Sequence, residues 1–134
     1  MENKTIFGMP RPLMDDAISV ADTPFALSDA LMQRASVYAA LGDRDSAQRD
    51  LRKAQQVAAI PGFAYQRAEI AGAFIFVDLK LKNCGPINTE IKNFLKLTSS
   101  ADIEPGRQHD LLAYIADILQ TMRTCDWDHS LIKI

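Results

Sequence analysis

An all-α fold, built of antiparallel helical hairpins stacked as a short solenoid, is predicted by three observations. Apolar residues recur at steps of three and four along most of the 134-residue chain, the spacing of a helix with one buried face. Gly42-Asp43 separates two such stripes; a glycine accepts the left-handed conformation that ends one helix, and an acid can cap the next. The string Gln33-Arg34-Ala35-Ser36-Val37 is echoed by Gln66-Arg67-Ala68-Glu69-Ile70, a shift of 33 residues, as an internal repeat would produce.

The elements follow in order. Residues 1–12 contain Gly8, Pro10 and Pro12 and are expected to form an irregular arm. The rest, 13–134, reads as one domain. Leu13 to Ala21 is expected to be a short helix capping the N-terminal end, with Leu13, Ala17 and Val20 on one face. The first hairpin spans about 24–60. Its first helix opens with Thr23 as cap and Pro24 in the first turn, and carries Leu27, Leu31, Ala35 and Tyr38 on one side. Its second helix, capped by Asp45 or Asp43, buries Ala47, Leu51, Ala54 and Ala58 and turns Gln48, Arg49, Arg52, Lys53, Gln55 and Gln56 to solvent.

After the break at Ile60-Pro61-Gly62, a second hairpin is expected over about 63–99. Its first helix has two adjacent apolar stripes, Ala64, Ala68, Ala71 and Ile75 beside Phe63, Ile70, Phe74, Val77 and Leu81, as a helix buried on two sides would. The run from Phe74 to Lys82 also has the β-branched and aromatic content of a strand. Helix is preferred because no second strand exists to pair with it. Asn83-Cys84-Gly85-Pro86 turns the chain into a helix carrying Ile87, Ile91 and Phe94 or Leu95. A third hairpin over about 105–134 starts with Leu111, Ile115, Ile118 and Met122 on one face. It ends in a short helix presenting Trp127, Leu131 and Ile134, and Leu111-Leu112-Ala113-Tyr114-Ile115 supplies the third register, a further 45 residues on.

In the first hairpin Ala35, Tyr38, Gly42-Asp43, Ala47, Leu51 and Ala54 stand at the spacing of a tetratricopeptide repeat, and the segment resembles that family. The position where the family usually has Trp is Leu31, and the one where it usually has Leu is Arg34. The resemblance implies a concave groove lined by the first helices, one that commonly grips a peptide. Carried over by register, the groove residues would be Asp29, Met32, Ser36 and Ala39, then Tyr65, Glu69 and Gly72, then Asp110, Tyr114 and Asp117. The members that clamp a peptide's terminal carboxylate use Lys, Asn and Arg at such positions, so that activity is not implied here. Acids beside tyrosines suit a ligand with basic and apolar side chains.

A second candidate surface is apolar: Phe74, Phe76, Val77, Leu79 and Leu81, with Trp127, would form a partner or oligomer face if the short stack leaves them uncovered. A homodimer would use the same face.

Composition narrows the function classes. A 48% hydrophobic content indicates a folded chain. A net charge of −2 offers no excess of positive charge for nucleic acid or an anionic membrane. No apolar run is long enough to span a bilayer. The N-terminus lacks the order of a secretory signal, so a cytoplasmic protein is expected, delivery by a dedicated secretion system being the alternative. Cys84 and Cys125 lack metal-site spacing and are expected to be free thiols, although stacked turns would bring them close enough for a disulfide. His109 and His129 read as solvated, and Arg44, Arg49, Arg52 and Lys53 as a solvated face offset by Asp43, Asp45 and Asp50. No phosphate loop, cofactor motif or catalytic constellation is visible. The expectation is a non-catalytic protein–protein interaction module, an adaptor or an inhibitor that occupies its partner. The alternatives are a chaperone holding a segment of a secreted bacterial protein, which small acidic members of the family resemble, and an enzyme on an all-helical scaffold.

Overall fold

A computed structural model describes residues 11–132, with side chains from 14 onward. The described residues form six helices: α1 (Arg11–Val20), α2 (Pro24–Ala40), α3 (Arg44–Val57), α4 (Ala64–Lys80), α5 (Ile87–Thr98) and α6 (Pro105–Thr121). No strand occurs among the described residues, and the segment with strand-like content lies inside α4 and its cap. The first helix starts at Arg11, inside the stretch expected to be an irregular arm. Pro12 falls in its first turn, where a missing N–H costs nothing; residues 1–10 lie outside the described range.

Local chemistry accounts for the α2–α3 turn. Thr23 Oγ1 accepts from the Ala26 N–H at 3.1 Å, capping α2. At its far end the Gly42 N–H donates to Ala39 O at 3.0 Å and the Asp43 N–H to Tyr38 O at 2.9 Å, with Gly42 left-handed at φ 78°. This is a Schellman termination. Asp43 then starts α3, accepting from the Ser46 N–H at 3.1 Å. The α4–α5 turn ends α4 in the same way: Lys82 N–H to Leu79 O at 3.2 Å and Asn83 N–H to Asp78 O at 2.8 Å. Here the left-handed position is occupied by Lys82, at φ 57°.

Helices α2, α4 and α6 each contain 17 residues. They begin at residues 24, 64 and 105, spaced by 40 and 41. The register expected from sequence echoes, 33 and then 45, is therefore replaced by one of nearly equal steps.

Helix α4 is the centre, in contact with α2, α3, α5 and α6. Its Ala68, Ala71, Ile75 and Leu79 pack with Ile87, Ile91, Phe94, Leu111, Ile115 and Ile118. Its Ile70 joins Leu31, Ala54 and Ala58, and its Val77 joins Ala35, Tyr38, Ala47 and Leu51. Ala35, Ala47 and Ala54 are fully buried, and their small side chains allow α2 and α3 to approach closely. Arg34 ties three helices together: it forms a two-pronged pair with buried Asp50 of α3, at 2.7 and 2.8 Å, and donates to Asp15 of α1 at 3.1 Å.

The final segment is not the short helix expected. Residues 122–132 run as turns and irregular chain. Cys125 is joined to Cys84 by a disulfide, Thr124 Oγ1 donates to Leu79 O at 2.6 Å, and the Asp128 N–H donates to Asn88 Oδ1 at 2.8 Å. A helix this short is not self-sustaining; anchors to α4 and α5 decide its path instead. The two cysteines, expected to be free, are thus a bridge across 41 residues. The α4–α5 turn and the end of α6 lie close enough for their side chains to meet, as stacking of the turns would allow.

Candidate functional site

The equal spacing of α2, α4 and α6 builds a groove. Positions 29, 69 and 110 are equivalent in the three helices, as are 33, 73 and 114, and all six line one concave cavity of about 330 Å³. Met32, Ser36, Tyr65, Gly72, Phe76, Phe94 and Leu111 complete the lining. Of the groove residues anticipated from the sequence, Asp29, Met32, Ser36, Tyr65, Glu69, Gly72, Asp110 and Tyr114 lie here. Ala39 does not: it is buried between α2 and its neighbours. Asp117 is solvent-exposed on α6 and outside the lining.

Gln33, Ala73, Phe94 and Leu111 were not anticipated. The 40-residue spacing carries the signal for Gln33 and Ala73. Phe94 carries none, because it reaches the floor from α5, a helix that only tertiary packing brings to the groove. A Cβ on Gly72 would stand 3.2 Å from Ile115 Cδ1 and 3.4 Å from Phe94 Cε1. Glycine here lets Ile115 of α6 pack close to the α4 backbone, with the ring of Phe94 beside it.

The charges in the lining are all carboxylates, Asp29, Glu69 and Asp110, one from each helix. Burial raises the pKa of Glu69, the negative charge of Asp29 raises it further, and Arg107 partly offsets both. Burial also raises the Tyr65 and Tyr114 hydroxyls. The guanidinium of Arg107 sits 4.0 Å from the centre of the Tyr65 ring, a cation–π contact at the rim. Gln33 donates to Asp29 at 2.9 Å. The Ser36 hydroxyl donates to Met32 O at 3.3 Å, so its proton is engaged within the helix. The groove thus combines a negative wall, two tyrosines and an apolar floor.

The anticipated apolar face does not exist as one surface. Val77 and Leu79 are buried on opposite sides of α4, and Trp127 is buried against the C-terminal core. Phe76 belongs to the groove. Phe74 lines a separate cleft with Arg52, Gln55, Ala71 and Glu90, and Leu81 packs half-buried against the Tyr38 cluster. The reason is the central position of α4, whose neighbours cover most of its circumference.

His129 stacks on Trp127 with ring centres 4.2 Å apart; His109 is exposed. No group of three or more His, Cys, Asp or Glu residues with metal-site geometry occurs among the described residues. Nor does any described helix have the length and apolarity to cross a membrane. On α3, Asp43 serves as the helix cap and Asp50 as the partner of Arg34. Comparison with family models, with curated proteins and with solved structures finds no match to this chain.

Proposed function

We propose that this protein is a non-catalytic interaction module of tetratricopeptide-like build, capped by α1, which holds a peptide segment of a protein partner between α2, α4 and α6. One observation carries the reading. Three helices of equal length bring equivalent positions to a single concave strip that pairs polar walls with an apolar floor. Such a strip gives an extended or helical segment an apolar anchor and directional polar contacts together. The same surface suits an adaptor and an inhibitor that acts by occupancy. The Cys84–Cys125 bridge favours work in an oxidising compartment over the cytoplasm that the sequence suggests, because such bonds are rare where thiols are kept reduced.

The test is a pull-down from the native host with the tagged full chain, beside a variant carrying Tyr65→Ala and Tyr114→Ala. A stoichiometric partner retained by the parent and lost by the variant supports the groove. A partner retained equally by both places binding elsewhere, and a folded chain that retains no protein counts against an interaction module.

A further inference from the structure

We infer that the groove selects a peptide segment bearing a Lys or Arg side chain next to an apolar residue. The cation sits between Asp29 and Glu69 beside Tyr65, and the apolar neighbour lies over Met32, Phe76 and Phe94. The inference rests on the reading of this groove as a peptide site and adds what the peptide must carry.

Charge complementarity favours a cation. Three carboxylates converge from three helices, and no Lys or Arg is among the lining residues. Asp29 and Glu69 line the same cavity, and the negative charge of Asp29 disfavours ionisation of Glu69. That repulsion is relieved by a ligand cation and aggravated by a ligand anion, which makes the wall selective as well as attractive. The chain's own Arg107 marks where a cation rests. Its guanidinium already rests on the Tyr65 ring at 4.0 Å and acts on Glu69 with opposite charge. Arg107 therefore samples, from an exposed rim position on α6, the contact that a ligand's basic side chain would make from inside the groove. It stands as a placeholder that the ligand displaces. Met32, Phe76, Phe94 and Leu111 offer apolar contact beside the acids, so a bare ammonium or metal ion would leave most of the cavity unused, whereas a basic residue with an apolar neighbour fills both parts.

The experiment is selection of random nine-residue peptides displayed on phage against the immobilised full chain. Fluorescence anisotropy follows, with the best peptide labelled with fluorescein. The expected result is enrichment of Lys or Arg at one position adjoining an apolar residue. Replacing that basic residue by Met then weakens binding by about tenfold or more. Glu69→Gln weakens the basic peptide by a similar factor and leaves the Met peptide nearly unchanged, so the two changes are coupled. If Glu69→Gln lowers the melting temperature, Asp29→Asn replaces it in the same cycle. Arg107→Ala tightens the basic peptide several-fold by vacating Tyr65. Peptides selected without a basic residue, or a cycle with no coupling, overturn this inference while the groove reading stands. If no peptide is enriched, or if binding survives Tyr65→Ala with Tyr114→Ala, the groove reading falls and this inference with it.

Discussion

Arg34 of α2 grips the carboxylate of Asp50 on α3 with two parallel hydrogen bonds, at 2.7 and 2.8 Å. The Asp50 side chain is only 3% exposed. Hydrogen bonding to Asp50, ahead of that group's opposing charge, holds the Arg34 pKa above its already high ordinary value against the opposing effect of burial. Loss of one partner strands the other in the interior. Arg34→Ala is expected to destabilise the protein by about 3–5 kcal/mol. Replacing both, Arg34→Leu with Asp50→Leu, should recover most of that loss, because no unpaired charge remains. Urea unfolding of the three variants measures it.

Lys82 makes the complementary case, a residue in a backbone conformation it does not favour. It occupies the left-handed position of the α4–α5 turn, φ 57°, where the α2–α3 turn has Gly42. Lys82→Gly removes the Cβ clash at that position, a gain of about 1 kcal/mol after the entropy of a freer unfolded glycine is subtracted. The expected outcome is a higher melting temperature with an unchanged helical spectrum.

Glu90 predicts an unusual pH dependence. Burial, followed by a hydrogen bond with Asp78 and the charge of Asp78, pushes its pKa up from 4.5 to about 9. Asp78 Oδ2 and Glu90 Oε1 are buried without a donor among the described residues, and a proton held on Glu90 supplies one. Between those two pKa values the folded state binds a proton that the unfolded state has released, so stability falls as pH rises. The contribution is fully present below about pH 4.5 and is lost progressively as pH climbs through the folded pKa. Glu90→Gln should flatten the profile between pH 5 and 9 in thermal melts; an unchanged slope would assign the dependence to other groups.

The Cys84–Cys125 bridge closes a loop across a sequence separation of 41 residues. Chain entropy then gives it a contribution of up to about 4 kcal/mol. Reduction, or Cys125→Ser, should free the segment after α6 first, because Thr124 and Asp128 add only single hydrogen bonds there. Trp127 is the sole tryptophan and is buried, so its fluorescence reports the release directly. A red-shifted, more quenchable emission is expected on reduction, with the helical signal of α2 to α6 largely kept.

The site was legible for a reason found in helix geometry. A register of 33 between the first two helices is wrong in translation, since the structure uses 40. The two differ by seven residues, close to two full turns, so the same face is picked out with a drift of only about 20°. The third register, 78 from the first against 81 in the structure, is off by three residues, a rotation of about 60° that keeps part of the same face. Tyr65, Glu69, Asp110 and Tyr114 therefore fell on the side that lines this cavity. The penalty appears at the end of the register, where Ala39 and Asp117 overshoot the groove.

What the sequence determined by itself is local. It specified the six segments that are helical, along with a seventh after Cys125 that is not, which face of each is apolar, and where Thr23, Gly42 and Asp43 start or stop them, because periodicity and capping act within a turn or two of the chain. The tertiary structure alone decided the rest: the step of 40 along the stack, the arrival of Phe94 beneath Gly72, the pairing of Arg34 with Asp50, the burial of Val77, Leu79 and Trp127, and the bridge that replaces the last helix. Each joins residues distant in sequence, and a repeating helical face is nearly indifferent to sliding by two turns until its neighbours are packed against it.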